Sequence, residues 1–160
     1  MLIDVTAVTA APPERVWQVL TDWERQPDWM VDAREVEVLT AARHGVGVVV
    51  RCPTDLLGLV VEDRMRVTDW RPPRRLEVVH VGRLIQGTAT FELAPEDGGT
   101  RIRWWESIDP PLGPLGELGA RLIVAPWVRR LFRRSLANLV AVAEEVEVPR
   151  DAGEADPLVS

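Results

Sequence analysis

Between residues 34 and 108 the chain breaks into six strand-like runs, at 34 to 40, 46 to 52, 59 to 70, 75 to 81, 84 to 94 and 100 to 108. Only short turn signals separate them: His44-Gly45, Pro53 to Gly58, Pro72-Pro73, Gly82 and the PEDGG run at 95 to 99. A parallel pair of strands needs a long crossover, and connections this short cannot supply one, so the runs predict an antiparallel meander. Residues 2 to 9, LIDVTAVT, alternate and are rich in β-branched types, which adds a first strand. The segment from 11 to 30 opens with proline in a first-turn position and carries Val16, Val19 and Leu20 at helical spacing until Pro27 breaks it, predicting two short helices.

From Leu115 onward the period becomes helical, with Leu118, Leu122, Val128, Phe132, Leu136, Leu139, Val142 and Val146 on one stripe. This predicts a long terminal helix bent near its middle by Pro126, which removes a backbone donor and crowds the preceding turn. With 160 residues the expectation is one domain over 1–148, followed by a frayed tail at 149–160 that has few large apolar residues.

Strand alternation assigns a face to each side chain. If PEDGG closes the last hairpin, Phe91 faces Trp104 and Ala89 faces Glu106. If Gly82 closes the one before, Val78 faces Gly87 and Leu76 faces Ala89. If Pro72-Pro73 closes the hairpin before that, Met65 faces His80 with Asp63 diagonal to it. These registers agree on one mostly apolar face carrying Val48, Val50, Val61, Met65, Val78, Ile85, Gly87, Ala89, Phe91 and Trp104, which should turn toward the long helix. The same face carries Asp63, His80 and Glu106.

A carboxylate buried without a partner costs several kcal/mol, so an inward Glu106 beside two small residues suggests a space that holds water or ligand. On this reading Gly87→Leu fills the space and leaves the fold intact. The competing readings are a bulge near Ser107 that turns Glu106 to solvent, an Asp63 paired with Arg51, and a His80 that is simply a hydrogen-bonded interior residue. Asp63 and Glu106 should stand roughly 14 Å apart along the sheet at about 4.8 Å per strand, too far for a direct pair.

Composition narrows the chemistry. All 19 basic residues are arginine and there is no tyrosine, so proton transfer falls to carboxylates, His44, His80, the thiol of Cys52 or bound water. A single cysteine excludes an internal disulfide, and two distant histidines argue against zinc. The net charge of −6 argues against nucleic acid as a general partner. No apolar run is long enough to span a membrane, and the N-terminal residues lack a basic leader, so the expected location is the cytoplasm. Trp17, Trp29 and Trp104 are expected in the core or lining a cavity, with Trp70, Trp105 and Trp127 partly exposed. Leu56, Leu57 and Leu59 are expected in a loop over a pocket mouth.

The order strand, two short helices, six strands, long helix resembles the START-like helix-grip superfamily, which includes polyketide cyclase/dehydrase and lipid-transport proteins. The resemblance runs over roughly residues 2 to 147. It is carried by Pro13, Val16, Trp17, Asp22, Pro27 and Trp29 in the first helical segment and by VTDWRPPRRLEV and GGTRIRWW further along. It implies an α+β fold in which a curved seven-stranded antiparallel sheet grips the C-terminal helix.

It also implies a hydrophobic small molecule, lipid, quinone or polyketide-like, held between sheet and helix without a cofactor. The expected lining is Val48, Val50, Val61, Met65, Val78, Gly87, Ala89, Phe91, Trp104, Leu118 and Leu122. One alternative is a polyketide aromatase/cyclase in which Glu106, Asp63 or His80 moves protons. Another is a non-enzymatic partner-binding module, or a peripheral membrane contact, that uses Trp127 with Arg129, Arg130, Arg133 and Arg134. The sequence leaves the ligand and the oligomeric state open.

Overall fold

The computed structural model describes residues 1–56, 58–82, 86–109 and 124–145. Strand β1 (Leu2–Thr9) leads into helix α1 (Pro13–Thr21) and a 3-10 helix (Trp23–Asp28). Strands β2 (Glu37–Val38), β3 (Val49–Leu56), β4 (Leu59–Arg71), β5 (Arg75–Val81), β6 (Gln86–Glu96) and β7 (Gly99–Ile108) follow, and then helix α2 (Ala125–Glu144). The seven strands form one antiparallel sheet in the order β1-β7-β6-β5-β4-β3-β2. The first strand closes against the last, and every other pair is a sequential neighbour. This is the helix-grip α+β architecture.

Local chemistry accounts for most boundaries. Prolines at the start of α1 give up N–H groups that a first turn leaves unpaired anyway, and Glu14 adds an acid where the helix dipole favours one. Val16, Trp17, Val19 and Leu20 then form its buried side. Asp97 and Gly98 both have positive φ, +46° and +82°, the two-residue pattern that matches the twist of a tight hairpin, so PEDGG joins β6 to β7 directly.

One expectation is corrected here. Residues 53 to 56 are not a loop: β3 runs to Leu56, which pairs with Leu59 across the turn at Gly58, and Leu59 is exposed at the hairpin tip. Pro126 is the second residue of α2, and the stretch from 115 to 123, on which a bend near the middle of a longer helix depends, lies outside the described residues. Residues 110–123, which include Leu115, Leu118 and Leu122, lie outside the described residues, as do Leu57, Ile85, Val146 and the segment 149–160. In β4 the register shifts between Val67 and Asp69, and the extra residue turns Trp70 inward opposite Leu76, where simple alternation would place Asp69.

The core lies between the inward face of the sheet and α2. Trp104 stacks on Phe132 of α2 at 3.8 Å between ring centroids and on Phe91 at 4.8 Å, while Trp29 meets both Trp104 and Phe91 edge-on. α2 therefore packs over Phe91 and Trp104, as expected. At its C-terminal end the Glu144 carboxylate accepts hydrogen bonds from Thr9 Oγ1 at 2.7 Å and Ala10 N at 2.9 Å, which pins that end of α2 to the end of β1. Since β1 runs from Leu2 to Thr9, the first half of α2 lies toward the Leu2 end of the sheet.

Candidate functional site

Asp63, His80 and Glu106 all point inward and are all buried, at 3%, 9% and 6% exposure. Strand β7 continues its pairing with β6 through Ile108 without a bulge, so Glu106 stays on the inner face opposite Ala89. Arg51 does not hold Asp63. It turns outward to Glu35 and Glu37 at 2.8 and 3.0 Å, and Asp63 pairs across the strand with Cys52.

The three polar groups form a line. His80 Nδ1 donates to Asp63 Oδ2 at 2.7 Å, and His80 Nε2 stands 3.3 Å from Glu106 Oε1, within ion-pair reach but too poorly aligned for a hydrogen bond. The two acids are thus not isolated from one another, as their strand separation suggested, because the imidazole spans the gap. Gly87 lies opposite His80 and Ala89 lies opposite Glu106, so no large side chain of the intervening strand stands between them. This register is two residues away from the one expected, with Val78 facing Ala89 and Leu76 facing Phe91. A slip of two preserves the face, which is why the same residues still point inward.

The electrostatics follow from burial and neighbours. Burial alone pushes the His80 imidazolium down, but the contacts with the Asp63 and Glu106 carboxylates outweigh it and raise the group from 6.5 to about 10. His80 is therefore a cation at neutral pH, held between two carboxylates. Burial pushes the Cys52 thiol up to about 11, with Asp32 and Asp63 adding to it, so Cys52 is a protonated interior residue and no nucleophile.

A third acid joins the cluster. Asp32 follows the 3-10 helix, its carbonyl accepts a hydrogen bond from Asp55 N, and burial followed by the charges of Glu106 and Asp63 lifts its carboxyl from 3.8 to about 6. Sequence reading missed Asp32 because it lies in an irregular segment with no periodicity; its only signal is a place between buried Trp29 and buried Ala33.

A group whose folded-state pKa is raised contributes stability that is fully present below its unfolded value and lost as pH climbs through the folded one. Asp32 therefore works against folding above pH 6. Asp32→Asn is expected to stabilise the protein by about 1–2 kcal/mol at pH 7 and by little at pH 3.5, read from urea midpoints at the two values. Equal midpoints for variant and parent at pH 7 would show Asp32 to be solvated.

Several buried polar atoms of this interior lack a hydrogen-bond partner among the described residues: Asp63 Oδ1, Asp32 Oδ1, His80 Nε2 and the indole nitrogens of Trp29 and Trp104. Native interiors rarely leave such groups orphaned without water or ligand at hand. Of the expected lining, Val48, Val50, Val61, Val78 and Ala89 are buried on the same face, while Met65 and Gly87 are half-buried. Phe91 and Trp104 belong to the aromatic stack under α2.

Gly87 needs a correction. Its φ is +148°, and a Cβ there would meet the Ser107 carbonyl oxygen at 2.0 Å, so a side chain would drive into β7 and not into an interior space. A separate open cleft of about 350 Å3 lies beside the end of α1, lined by Gln18, Thr21, Asp22, Trp23, Glu24, Arg43 and His44. It shares no residue with the buried cluster.

The fold matches solved structures from several bacteria. A protein from Thermus thermophilus superposes with a TM-score of 0.77 at 21% identity, covering 89% of this chain and 97% of that one. A protein from Chromobacterium violaceum gives 0.67 at 21% identity over 91% and 99%. A START superfamily protein from Mycobacterium smegmatis gives 0.64 at 15% identity over 89% and 94%. No curated protein matches the chain. Residues 2–144 match the family described as polyketide cyclase / dehydrase and lipid transport, a span that takes in all seven strands, α1, α2 and the four acids and bases of the buried cluster. The chain belongs to that polyketide cyclase / dehydrase and lipid transport family.

Proposed function

We propose that this chain binds a mostly apolar small molecule between the sheet and α2, with a hydroxyl or carbonyl end met by the Asp63–His80–Glu106 line and Asp32. The observation that carries this is the set of orphaned polar atoms inside an otherwise apolar interior: Asp63 Oδ1 and Asp32 Oδ1 can accept, and His80 Nε2 and Trp104 Nε1 can donate. The family and fold are consistent with a hydrophobic ligand in this position.

A cyclase-like reaction is the second reading, favoured by the imidazolium itself. A group raised to about 10 is a weak proton donor at neutral pH, since general acids work best near the working pH, but it is well suited to stabilising a developing enolate oxygen. Binding is therefore the primary reading, and charge stabilisation on a poly-β-carbonyl substrate is what the same atoms would add.

Native mass spectrometry of gently purified protein, followed by dye displacement with fatty acids, quinones and polyphenols, tests the reading. Hydroxylated or carbonyl-bearing ligands are expected to displace the dye. Asp63→Asn should weaken them about tenfold while leaving affinity for a purely apolar dye unchanged, the usual scale for losing a charged hydrogen-bond partner in a buried site. Failure of every compound to displace dye, with no copurified mass, overturns the proposal.

A further inference from the structure

The buried cluster is one cation short. Asp32, Asp63 and Glu106 bring three carboxyl groups to the interior, and among the described residues His80 is the only cation in contact with any of them. Two carboxylates around one imidazolium already leave the balance negative, and an ionised Asp32 adds a second uncompensated charge. The arginines on the neighbouring segments are engaged elsewhere: Arg34 with Asp55 at 2.9 Å, Arg51 with Glu35 and Glu37, and Arg64 with Glu62 at 2.9 Å.

The backbone brings two of these acids to adjoining positions. Asp32 O accepts from Asp55 N at 2.9 Å, Arg34 N donates to Pro53 O at 3.1 Å and Ala33 bridges to Thr54, so residues 32–34 run beside β3. The next inward residue of β3 is Cys52, which pairs across the sheet with Asp63. Asp63 is 3% exposed and gives only Oδ2 to His80, so its Oδ1 is left without a partner among the described residues, as is Asp32 Oδ1. Two donors are left over on the same face, His80 Nε2 and the indole Nε1 of Trp104, two residues before Glu106 on β7.

Water would satisfy the hydrogen bonds of the two free carboxylate oxygens but would bring no charge. A metal ion would bring charge, yet among the described residues no three His, Cys, Asp or Glu side chains converge as ligands. Val48, Val50, Val61, Val78 and Ala89 make the walls apolar, so the occupant is mostly apolar as well. An organic ammonium meets all three conditions, because it offers up to three N–H donors and one positive charge on a hydrocarbon body. A carboxylate head has the opposite complement: it brings no donor and repels the acids.

We infer that the ligand is an apolar amine that also carries a hydroxyl or carbonyl oxygen, its ammonium held by Asp32 and Asp63 and its oxygen by the N–H groups of His80 and Trp104. This rests on the binding proposed above and narrows its ligand class. Titratable groups face Asp32 from β7 (Glu106), β4 (Asp63) and β3 (Asp55 and Cys52), with His80 of β5 beyond Asp63, while α2 offers the adjoining Val31 and Trp29 only the uncharged Ser135 and Asn138. Asp32 is lifted to about 6, and both His80 and a simple amine keep their protons below pH 7, so the ammonium should bind about tenfold more weakly at pH 5 than at pH 7.

Dye displacement by aminodecanol, decanediol and hydroxydecanoate tests it, three ten-carbon chains that share a hydroxyl on the second carbon and differ only at the first, which bears an amine, bears a hydroxyl or is a carboxylate. At pH 7 the amine is expected to bind about tenfold more tightly than the diol, and the carboxylate most weakly of the three. Asp32→Asn should cut the amine-to-diol ratio by about fivefold or more and remove its change between pH 5 and pH 7. The variant removes a buried charge that opposes folding at pH 7, so a lost ratio does not report a lost fold. A diol that binds as tightly as the amine, or a carboxylate that binds best, overturns the inference and leaves the binding proposal standing. Displacement by none of the three, where quinones or polyphenols do displace the dye, has the same meaning, and failure of every compound removes both. An amine preference undiminished in Asp32→Asn also overturns the inference, since it marks attraction to the net charge of −6 and not to this site.

Discussion

Replacing His80 with leucine is expected to destabilise the protein by about 3–5 kcal/mol at pH 7, because it strands the carboxylates of Asp63 and Glu106 in the interior without their shared cation. The volume changes little, so the loss reports charge and not packing. Adding Asp63→Asn and Glu106→Gln to the leucine variant should recover most of it, since a neutral cluster has no uncompensated charge to bury. A single variant that loses less than about 1 kcal/mol, or a triple variant no better than the single, would show that water already reaches the acids.

The same residue sets a pH signature. His80 is raised from 6.5 to about 10, so its contribution is complete below pH 6.5 and disappears as pH climbs through about 10. The parent protein should lose stability on the order of a few kcal/mol between those values, and His80→Leu should be flat over that window. Urea unfolding at pH 6, 8 and 10 resolves the two curves. A parent whose midpoint is constant from pH 6 to 10 would contradict the buried imidazolium.

Gly87→Leu, and equally Gly87→Ala, is expected to cost about 3 kcal/mol or more and to disrupt the pairing of β6 with β7. At φ +148° an L side chain is strained, and its first carbon would lie 2.0 Å from the Ser107 carbonyl oxygen, a backbone atom that cannot swing aside. Gly58 is the control. Its φ is +85° but a Cβ there meets nothing within 4 Å, so Gly58→Asn should stay within about 1 kcal/mol of the parent. Thermal melts of the variants separate the two effects. If Gly87→Ala melts with the parent, the Ser107 contact does not limit this position.

The face that each strand turns inward was legible in the residues alone. The β5–β6 register was misplaced by two residues, yet Asp63, His80 and Glu106 still pointed inside, because side-chain direction repeats every two residues and an even slip preserves it. Alternation, turn chemistry and the helical stripe were local signals, and they sufficed for an antiparallel sheet closed by a terminal helix. They failed where one residue broke the period: the shift beside Thr68 turned Trp70 inward without a glycine or proline to announce it.

What the inward polar groups do depends on contacts between distant parts of the chain. The sheet places His80, 17 residues after Asp63, where its ring can also reach Glu106 across β6, and no period in the sequence encodes that contact. Gly87 read as missing volume because composition shows the absent side chain but not the direction it would take. That direction is a backbone dihedral imposed by the pairing of β6 with β7. Asp32 was invisible for the same reason, since its environment comes from strands and acids brought to it by the fold and from nothing in the residues beside it.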